Sequence, residues 1–403
     1  MSPAPHTPPD APGPRPDRKE IARFLLGRGN DQLADAVANR RPLLASPNLA
    51  PARAGAARQP IAFPDGLAPT PVMPQQPRGP EDSLPRADVV IITWTVDELA
   101  GLARVLTPGV DPASWQHYSR HFETVYRPKL RPHAPAANSG RLGSYQLVTV
   151  GSHDVLCMKS ELHLNQDGVK TGEGTATLPV KTFFQQVIEE TKPRLVLSVG
   201  TAGSVFDEFG LGDVIVTRAA RFRLSQEFRN EPFNEQVYTS DWPLPTSRLD
   251  EAEALMGGFA AELALPAIGA PAPGYPLDRE LLAPPTPQPK VRLDGRDMPP
   301  FHPILTTDYF EYGTTVNRLD RVGAGVEMGD AALGLACSEL VDPPHWAIVR
   351  NMSDPVINGA LPAKEFHLNE QTTWAVGFYT AYGKWTSVIG ALATWGIVAG
   401  LPD

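Results

Sequence analysis

Three nearly continuous apolar runs, rich in β-branched residues, most constrain what this chain can fold into. They are "VVII" (89–92), "LVLSV" (195–199) and "WAIV" (346–349). A strand that is apolar on both faces is buried on both, which is typical of a sheet covered by helices on each side. Helical spacing is found between these runs, at 97–106 and 178–193. The sequence therefore predicts an α/β fold built in layers.

Further strands are predicted on either side of the second run. Residues 145–160 favour a hairpin of two strands, and residues 212–222 favour one more strand. The alternation of strands with helical segments agrees with a sheet that has helices on both faces.

The distribution of proline predicts how the chain is divided. Many of the 44 prolines lie in residues 1–86, where neither a helical turn nor a strand ladder can repeat. We predict that this part is an extension with one short helical segment at 17–40. Residues 87–403 form the body, with insertions at about 161–177 and 241–300. The first insertion contains glycines and is a candidate lid.

Charge and cysteine usage exclude several classes of function. The net charge of −9 and the pI of about 5.5 predict no nucleic-acid partner. Cys157 and Cys337 lie in apolar segments and are predicted to be small buried hydrophobes in a reducing compartment. No His/Cys spacing suits zinc and no loop suits Mg²⁺ and phosphate, so no metal or other cofactor is predicted.

The apolar C-terminal segment, residues 374–401, is the one candidate for a membrane span. It is interrupted by glycines and by Lys384, whereas a span needs about 20 mostly apolar residues in a row. We therefore predict helices packed on the core and no membrane partner. The N-terminus lacks a charged region followed by an apolar one, so no secretory signal is predicted. A cytoplasmic location is the resulting expectation.

Four loops at the predicted carboxyl ends of strands carry residues that are suited to chemistry. They are "TWTVDE", which ends in Glu98, then "SVGTAGS", "VEMGD" (326–330) and "RNMSDP" (350–355). In open α/β sheets, ligands bind beyond the carboxyl ends of the strands. The small residues of "GTAG" allow the backbone to approach a ligand closely. The sequence thus predicts one ligand site assembled from these loops.

Taken in order, these motifs resemble the nucleoside phosphorylase and nucleosidase superfamily. They are similar to those of methylthioadenosine/S-adenosylhomocysteine nucleosidases and purine nucleoside phosphorylases. The resemblance rests on "VVIITWTVDEL", "KPRLVLSVGTAGSV…LGDVIV", "TTDYF", "GVEMGDAA" and "WAIVRNMSDP", and it covers residues 87–403. It implies a three-layer domain with a central mixed sheet between helices. It also implies a homo-oligomer, for which the aromatic residues near the C-terminus would suit an interface.

The resemblance implies two catalytic carboxyl groups. Asp354 matches the aspartate that faces N7 of the purine, after Ser353, and Glu98 matches the carboxylate that activates the attacking water. Thr201 matches a small hydroxyl residue beside that water, and Arg350 matches the arginine before the "SD" pair. A purine leaves readily only when it is protonated, and a carboxylic acid can protonate it near neutral pH if its site raises its pKa. The pair parallels the two carboxyl groups of inverting glycosidases.

The substrate-binding residues include one departure from the family pattern. Phe310 matches an aromatic that stacks on the base, and Met328 matches a residue under the sugar. The family motif V-E-M-E carries a second glutamate that holds the ribose hydroxyls, and here that position is Gly329. Either Glu327 or Asp330 holds the sugar from a new angle, or the contact is lost. Loss would fit a deoxyribose or modified ribose, or a site that binds without turnover.

A second departure concerns the nucleophile. Phosphorolytic members carry an arginine where this chain has Ser198, and an uncompensated phosphate in a closed site is costly. Water is therefore favoured over phosphate, although Lys170 in the first insertion could compensate. A triphosphate substrate would need clustered cations, for which Arg221 and Arg223 are the nearest candidates.

The leading hypothesis is hydrolysis of the N-glycosidic bond of a small-molecule purine nucleoside or nucleotide, with Asp354 as acid and Glu98 as base. The first alternative is a phosphate-dependent purine nucleoside phosphorylase. The second is a nucleoside-binding regulatory module or a nucleotide-depleting defence effector.

Overall fold

The computed structural model describes residues 60–73, 78–169, 174–206, 208–263, 286–293, 302–308, 319–354 and 370–402. The helix predicted at 17–40, Lys170 of the first insertion and the predicted stacking residue Phe310 lie outside these ranges.

The described residues form one sheet of thirteen strands. The strands are β1 (Thr70–Pro71), β2 (Val89–Thr93), β3 (Gln116–Tyr118), β4 (Gly143–Val150), β5 (His153–Ser160), β6 (Leu195–Ser204), β7 (Val214–Thr217), β8 (Ala219–Phe222), β9 (Val237–Thr239), β10 (Val291–Leu293), β11 (Ile304–Thr306), β12 (Gly325–Glu327) and β13 (His345–Asp354). The α-helices are α1 (Val96–Leu106), α2 (Pro135–Ser139), α3 (Pro179–Thr191), α4 (Leu249–Leu263), α5 (Ala331–Ser338) and α6 (Glu370–Ala399).

The sheet is mixed, as predicted. Its main path runs β1-β4-β5-β2-β6-β12-β11-β8-β9, and β13 pairs with both β6 and β7. Strand β6 is parallel to β2 and β13, whereas β4 is antiparallel to β5 and β7 is antiparallel to β13. The carboxyl ends of β2, β6 and β13 therefore meet at one edge of the sheet. Two of the segments predicted as loops at this edge, "SVGTAGS" and most of "RNMSDP", are instead the last residues of β6 and β13, because the two strands stay paired through them.

Alternating side chains of the central strands build a core on each face of the sheet. In β2, Val90 and Ile92 pack into the core that includes Phe184 of α3. Val89 and Ile91 pack into the opposite core, with side chains of α1 and α6. All five residues of β2 are fully buried, because successive side chains of a strand point to opposite faces and both faces here are covered. The three-layer architecture is confirmed.

The structure differs from the predicted elements in three places. The strand expected at 212–222 is two strands, β7 and β8, because residues 214–217 pair with β13 whereas residues 219–222 pair with β11. In the predicted insertion at 241–300, the helical stretch expected at 247–264 is α4, which packs on α6, but the insertion also contributes the unpredicted strand β10, which pairs with β7. Before residue 87, strand β1 pairs with β4, so part of the predicted extension belongs to the sheet.

The C-terminal segment is a single helix, α6, of 30 residues rather than several helices. It packs on α1, α4 and β13, and its tryptophan Trp395 is buried and donates its indole N–H to the backbone oxygen of Leu67. Across the ranges that the structure describes, none of the helices combines the length and apolar character needed to cross a bilayer.

Candidate active site

Glu98 joins the start of α1 to the carboxyl end of β6. Thr95 and Glu98 form a capping box, in which Glu98 Oε2 accepts from the backbone N–H groups of Trp94 (3.0 Å) and Thr95 (2.8 Å). The other oxygen, Oε1, accepts from the Thr201 backbone N–H (2.8 Å) and hydroxyl (2.9 Å). Glu98 is buried, at 4% exposure. One oxygen of Glu98 therefore caps the N-terminus of α1, and the other faces the edge of the sheet where the site is predicted.

Gly200 allows Glu98 and Arg350 to converge over β6. A Cβ at this position would overlap Arg350 Nη1 and lie 2.5 Å from Glu98 Oε1. Neither group can move away freely, because both are buried and held by hydrogen bonds. The glycine is required here by close approach and not by backbone conformation.

The variant Gly200→Ala is expected to lower the free energy of unfolding by about 1 to 3 kcal/mol, because overpacking displaces a buried ion pair. Urea unfolding measures this change. Gly257→Ala in α4 is the matched control, since a Cβ there meets no atom within 4 Å. The control should gain about 1 kcal/mol from helix propensity. Equal effects of the two variants would contradict the predicted close approach.

Arg350 is the cation at the centre of the site. It is 2% exposed, and its Nε donates to Asp330 Oδ2 at 2.7 Å while its Nη2 donates to Asp330 Oδ1. Its Nη1 donates to the backbone oxygen of Thr201 at 3.2 Å and lies 3.7 Å from Glu98 Oε1. Burial acts to lower the pKa of Arg350, but the charges of Asp330 and Glu327 raise it above its usual value. The guanidinium therefore stays charged.

Asp330 and Glu327 lie on the other side of this guanidinium. Ser198 Oγ donates to Asp330 Oδ1 at 2.6 Å, and Asp330 is fully buried. Glu327 accepts from the Thr306 hydroxyl and from the backbone N–H of Asp330, and its Oε2 is 3.4 Å from Arg350 Nη2. Burial, followed by the charge of Asp330, raises the pKa of Glu327 to about 8. Both carboxyl groups thus take part in supporting Arg350.

Asp354 lies at the end of β13, one register irregularity beyond Met352, opposite Gly203 of β6. The Ser353 hydroxyl donates to Asp354 Oδ1 at 2.9 Å and is 3.4 Å from the backbone oxygen of Ala202. Burial raises the pKa of Asp354 to about 7, against the lowering effect of the Ser353 hydrogen bond. The site therefore holds a carboxyl group that can give up a proton near neutral pH.

The structure brings most of the predicted site residues together. Glu98, Thr201, Arg350, Glu327 and Asp330 form one network of contacts. Asp354 is paired with a residue two positions further along β6 than Thr201, a spacing of about 7 Å along a strand.

Met328 is the one partly exposed residue within 323–330, as a residue that faces a ligand cavity would be. Its predicted contact with the sugar stays a prediction, and so does the stacking role of Phe310.

Sequence reasoning missed three supporting residues. Ser198 was considered only because it replaces an arginine, yet it is the hydrogen-bond partner of Asp330. Thr306 donates to Glu327, and its hydroxyl also accepts from the Ala331 backbone N–H at 2.8 Å. The ring of Trp94 lies 3.8 Å from the Cβ position of Gly329. In the sequence, the roles of Ser198 and Thr306 could have been indicated only by the hydroxyl residues within "LSVG" and at the start of "TTDYF".

Other candidate groups lie apart from this network. Arg221 pairs with Glu235, whose side chain is half exposed. Cys157 and Cys337 are buried and free, and burial raises the pKa of Cys337 to about 12. Among the described residues, no group of three or more His, Cys, Asp or Glu side chains is arranged to hold a metal ion.

Comparison with known proteins places the chain in a family. Futalosine hydrolase of Helicobacter pylori strain 26695 has 12% identity and a TM-score of 0.41 over 78% of this chain and 97% of its own. A methylthioadenosine/S-adenosylhomocysteine nucleosidase from Neisseria meningitidis, solved with methylthio-immucillin-A, has 14% identity and a TM-score of 0.43 over 78% and 100%. The Campylobacter jejuni nucleosidase of the same kind has 15% identity and a TM-score of 0.41 over 78% and 100%.

No curated protein matches this chain. Residues 132–373 match the family model of the phosphorylase superfamily, which is more than half of the 403 residues. This match agrees with the mixed sheet and with the motif order at its carboxyl edge. The chain belongs to the phosphorylase superfamily.

Proposed function

We propose that this protein hydrolyses the N-glycosidic bond of a purine nucleoside or nucleotide and releases the free base. The observation that carries the proposal is the convergence of two unlike carboxyl groups at the carboxyl edge of β6. Glu98 turns one oxygen toward Thr201, and Asp354 is a buried acid with a pKa of about 7. Two such groups are what acid-and-base-assisted glycoside hydrolysis requires.

Asp354 is proposed to act as the general acid. When protonated, it donates its proton to N7 of the purine as the C1′–N9 bond breaks and the electron pair of that bond moves to the base. The Ser353 hydroxyl donates to Oδ1, which leaves Oδ2 to carry the proton. With a pKa of about 7, the acid is both present and ready to give up its proton near neutral pH.

Glu98 is proposed to act as the general base. A water beside Oε1 attacks C1′, and its proton passes to Glu98 as the new C1′–O bond forms. Thr201 holds the carboxylate through its hydroxyl and its backbone N–H, and Arg350 Nη1 lies 3.7 Å from Oε1. This arrangement orients the carboxylate beside a buried guanidinium that is near enough for an ion pair but does not donate a hydrogen bond to Oε1.

The charge balance favours water over phosphate as the nucleophile. Three carboxyl groups, those of Glu98, Glu327 and Asp330, surround the single guanidinium of Arg350. Ser198, at the position where phosphorolytic relatives are expected to carry an arginine, donates to Asp330. Glu327, with a pKa of about 8, is largely protonated near neutral pH, so the case rests on Glu98 and Asp330, which leave the single guanidinium no spare positive charge for a phosphate dianion. Binding that dianion in a buried site without a compensating cation is electrostatically costly.

Two other functions remain as alternatives. A phosphate-dependent phosphorylase would need a cation that this cluster does not offer among the described residues. Gly329, which supplies no carboxylate where the family motif has one, favours a nucleoside-binding module. A nucleotide-depleting defence effector is suggested instead by the long N-terminal extension, residues 1–86. The choice of purine and the homo-oligomer are likewise proposals.

The test is release of free base, followed by chromatography, from adenosine, methylthioadenosine, deoxyadenosine, inosine, guanosine, AMP and ATP, with and without phosphate. We expect release from at least one of them at a rate that phosphate does not raise. Release only with phosphate would establish the phosphorylase instead. No release, combined with a rise in the melting temperature when a nucleoside is added, would establish a binding module.

A further inference from the structure

Asp330 is a buried carboxylate that the proposed reaction does not use. It is fully buried, and both of its oxygens are engaged, Oδ2 by Arg350 Nε at 2.7 Å and Oδ1 by Ser198 Oγ at 2.6 Å and Arg350 Nη2. Burying an ion pair costs desolvation energy that an apolar pair would avoid. The pair is therefore weak evidence for a role in stability alone.

The ordinary role for an aspartate at this position is absent. Asp330 occupies the N-cap position of α5, where a carboxylate would normally accept from a backbone N–H of the first helical turn. Its side chain makes no such bond. The carboxylate is turned instead toward β13 and β6, so its function lies in the contact with Arg350 and Ser198.

The pair determines which part of the guanidinium faces Glu98. Asp330 occupies Nε and Nη2, so only Nη1 is directed toward the base. Nη1 donates to the Thr201 backbone oxygen at 3.2 Å and stays 3.7 Å from Glu98 Oε1, too far for a hydrogen bond. Gly200 puts no side chain between the two groups. The guanidinium is therefore held away from Oε1 by its hydrogen bonds to Asp330, together with the longer bond from Nη1 to Thr201.

A hydrogen bond from Arg350 to Glu98 would make Glu98 a poorer general base. Glu98 Oε1 already accepts two hydrogen bonds from Thr201, and Oε2 is engaged by the capping box. A guanidinium donating to Oε1 would place a positive charge directly on the oxygen that must receive a proton from water, and a positive charge at hydrogen-bond distance favours the unprotonated carboxylate. We propose that Asp330 is a positioning residue that restrains Arg350 and so leaves Glu98 free to act as the base. This inference rests on the proposed function.

The first test compares kcat and KM of the full-length chain with those of the Asp330→Asn variant. We expect kcat to fall about 10- to 100-fold with KM changed less than about threefold, because misplacement affects the chemical step more than binding. Ser198→Ala is the matched control. It removes the other partner of Asp330 but leaves the pair with Arg350, and it should retain most of kcat. Equal losses in the two variants would overturn the proposal.

Asp330→Glu separates positioning from charge compensation. It keeps the negative charge but lengthens the tether by one methylene, so the guanidinium moves toward Glu98. A reduced kcat in a folded Asp330→Glu variant supports positioning, and wild-type kcat overturns it. This variant also decides the question if Asp330→Asn does not fold.

A double-mutant cycle tests the inference without any activity measurement. In the Asp330→Asn background, Arg350 is expected to move closer to Glu98 and donate a hydrogen bond to it. The Glu98→Gln change should then reduce the folding equilibrium constant about tenfold more in that background than in the wild type. An absence of coupling in urea unfolding overturns the positioning role. A wild type that releases no base contradicts the proposed function alone, so the two failures are distinguishable.

Discussion

Asp354→Asn is expected to lower base release by about 10³-fold, because general acid catalysis contributes about 10² to 10⁴ and an amide cannot supply the proton. Wild-type activity should fall as the pH rises above about 7, where the buried carboxyl group loses its proton. The variant should show a small residual rate without this fall. Initial rates of base release from pH 5 to 9 measure both.

The same change should stabilise the fold at high pH. Burial raises the pKa of Asp354 from 3.8 to about 7, so between these values the native state holds a proton that the unfolded chain has lost. The stability contributed by this group is fully present below its ordinary pKa and is lost as the pH rises through about 7. Asp354→Asn removes this dependence.

As the pH rises from 5 to 8, the free energy of unfolding of the variant should therefore increase by about 2 to 4 kcal/mol relative to that of the wild type. Glu327, whose pKa is raised to about 8, makes the free energy of unfolding depend on pH in the same way in both proteins, so its contribution cancels in the comparison.

Ser353→Ala is the companion variant for Asp354. It removes the hydroxyl that donates to Oδ1, and this hydrogen bond acts to lower the pKa of Asp354. Its loss should move the alkaline fall in activity to higher pH while the acid is retained. Full activity in a folded Asp354→Asn variant would exclude Asp354 as the acid.

Glu98→Gln is expected to lower kcat by about 10² to 10³, since the amide cannot accept a proton from water. It should also lower the free energy of unfolding by about 1 to 3 kcal/mol. Both oxygens of Glu98 accept hydrogen bonds, so in either orientation of the glutamine its NH2 group faces another donor, at Thr201 or at the start of α1. Initial rates under saturating substrate and urea unfolding measure the two effects.

Thr95→Ala separates these two roles of Glu98. Thr95 supplies the other half of the capping box, and its hydroxyl accepts from the Glu98 backbone N–H at 3.2 Å. The alanine variant should lose about 1 kcal/mol of stability and keep most of its activity. If Thr95→Ala and Glu98→Gln reduce kcat equally, then Glu98 acts by capping the helix and not as a base.

Much of the fold could be predicted because burial leaves a local pattern. The runs at 89–92, 195–199 and 346–349 are strands β2, β6 and β13, as their apolar character on both faces indicates. The break at Arg218 between β7 and β8 was not predictable, since it depends on pairing with β13 on one side and β11 on the other. The single helix α6 also was not evident, because its glycines look like interruptions in the sequence.

The sequence by itself determined which loops meet at the site. Strand direction follows from the order of strands and helices, and the motifs with Glu98, Thr201 and Asp354 all lie at or just beyond the carboxyl ends of strands.

Only the tertiary structure decided what Asp330 does. Its contacts with Ser198 and Arg350 span 132 and 20 residues of sequence, and they depend on how β6, β12 and β13 are aligned. Periodicity reports which face of an element is buried, but it carries no information on which distant side chain lies opposite. A buried carboxylate beside a glycine therefore looked like a sugar ligand in the sequence, whereas in the folded chain it holds an arginine.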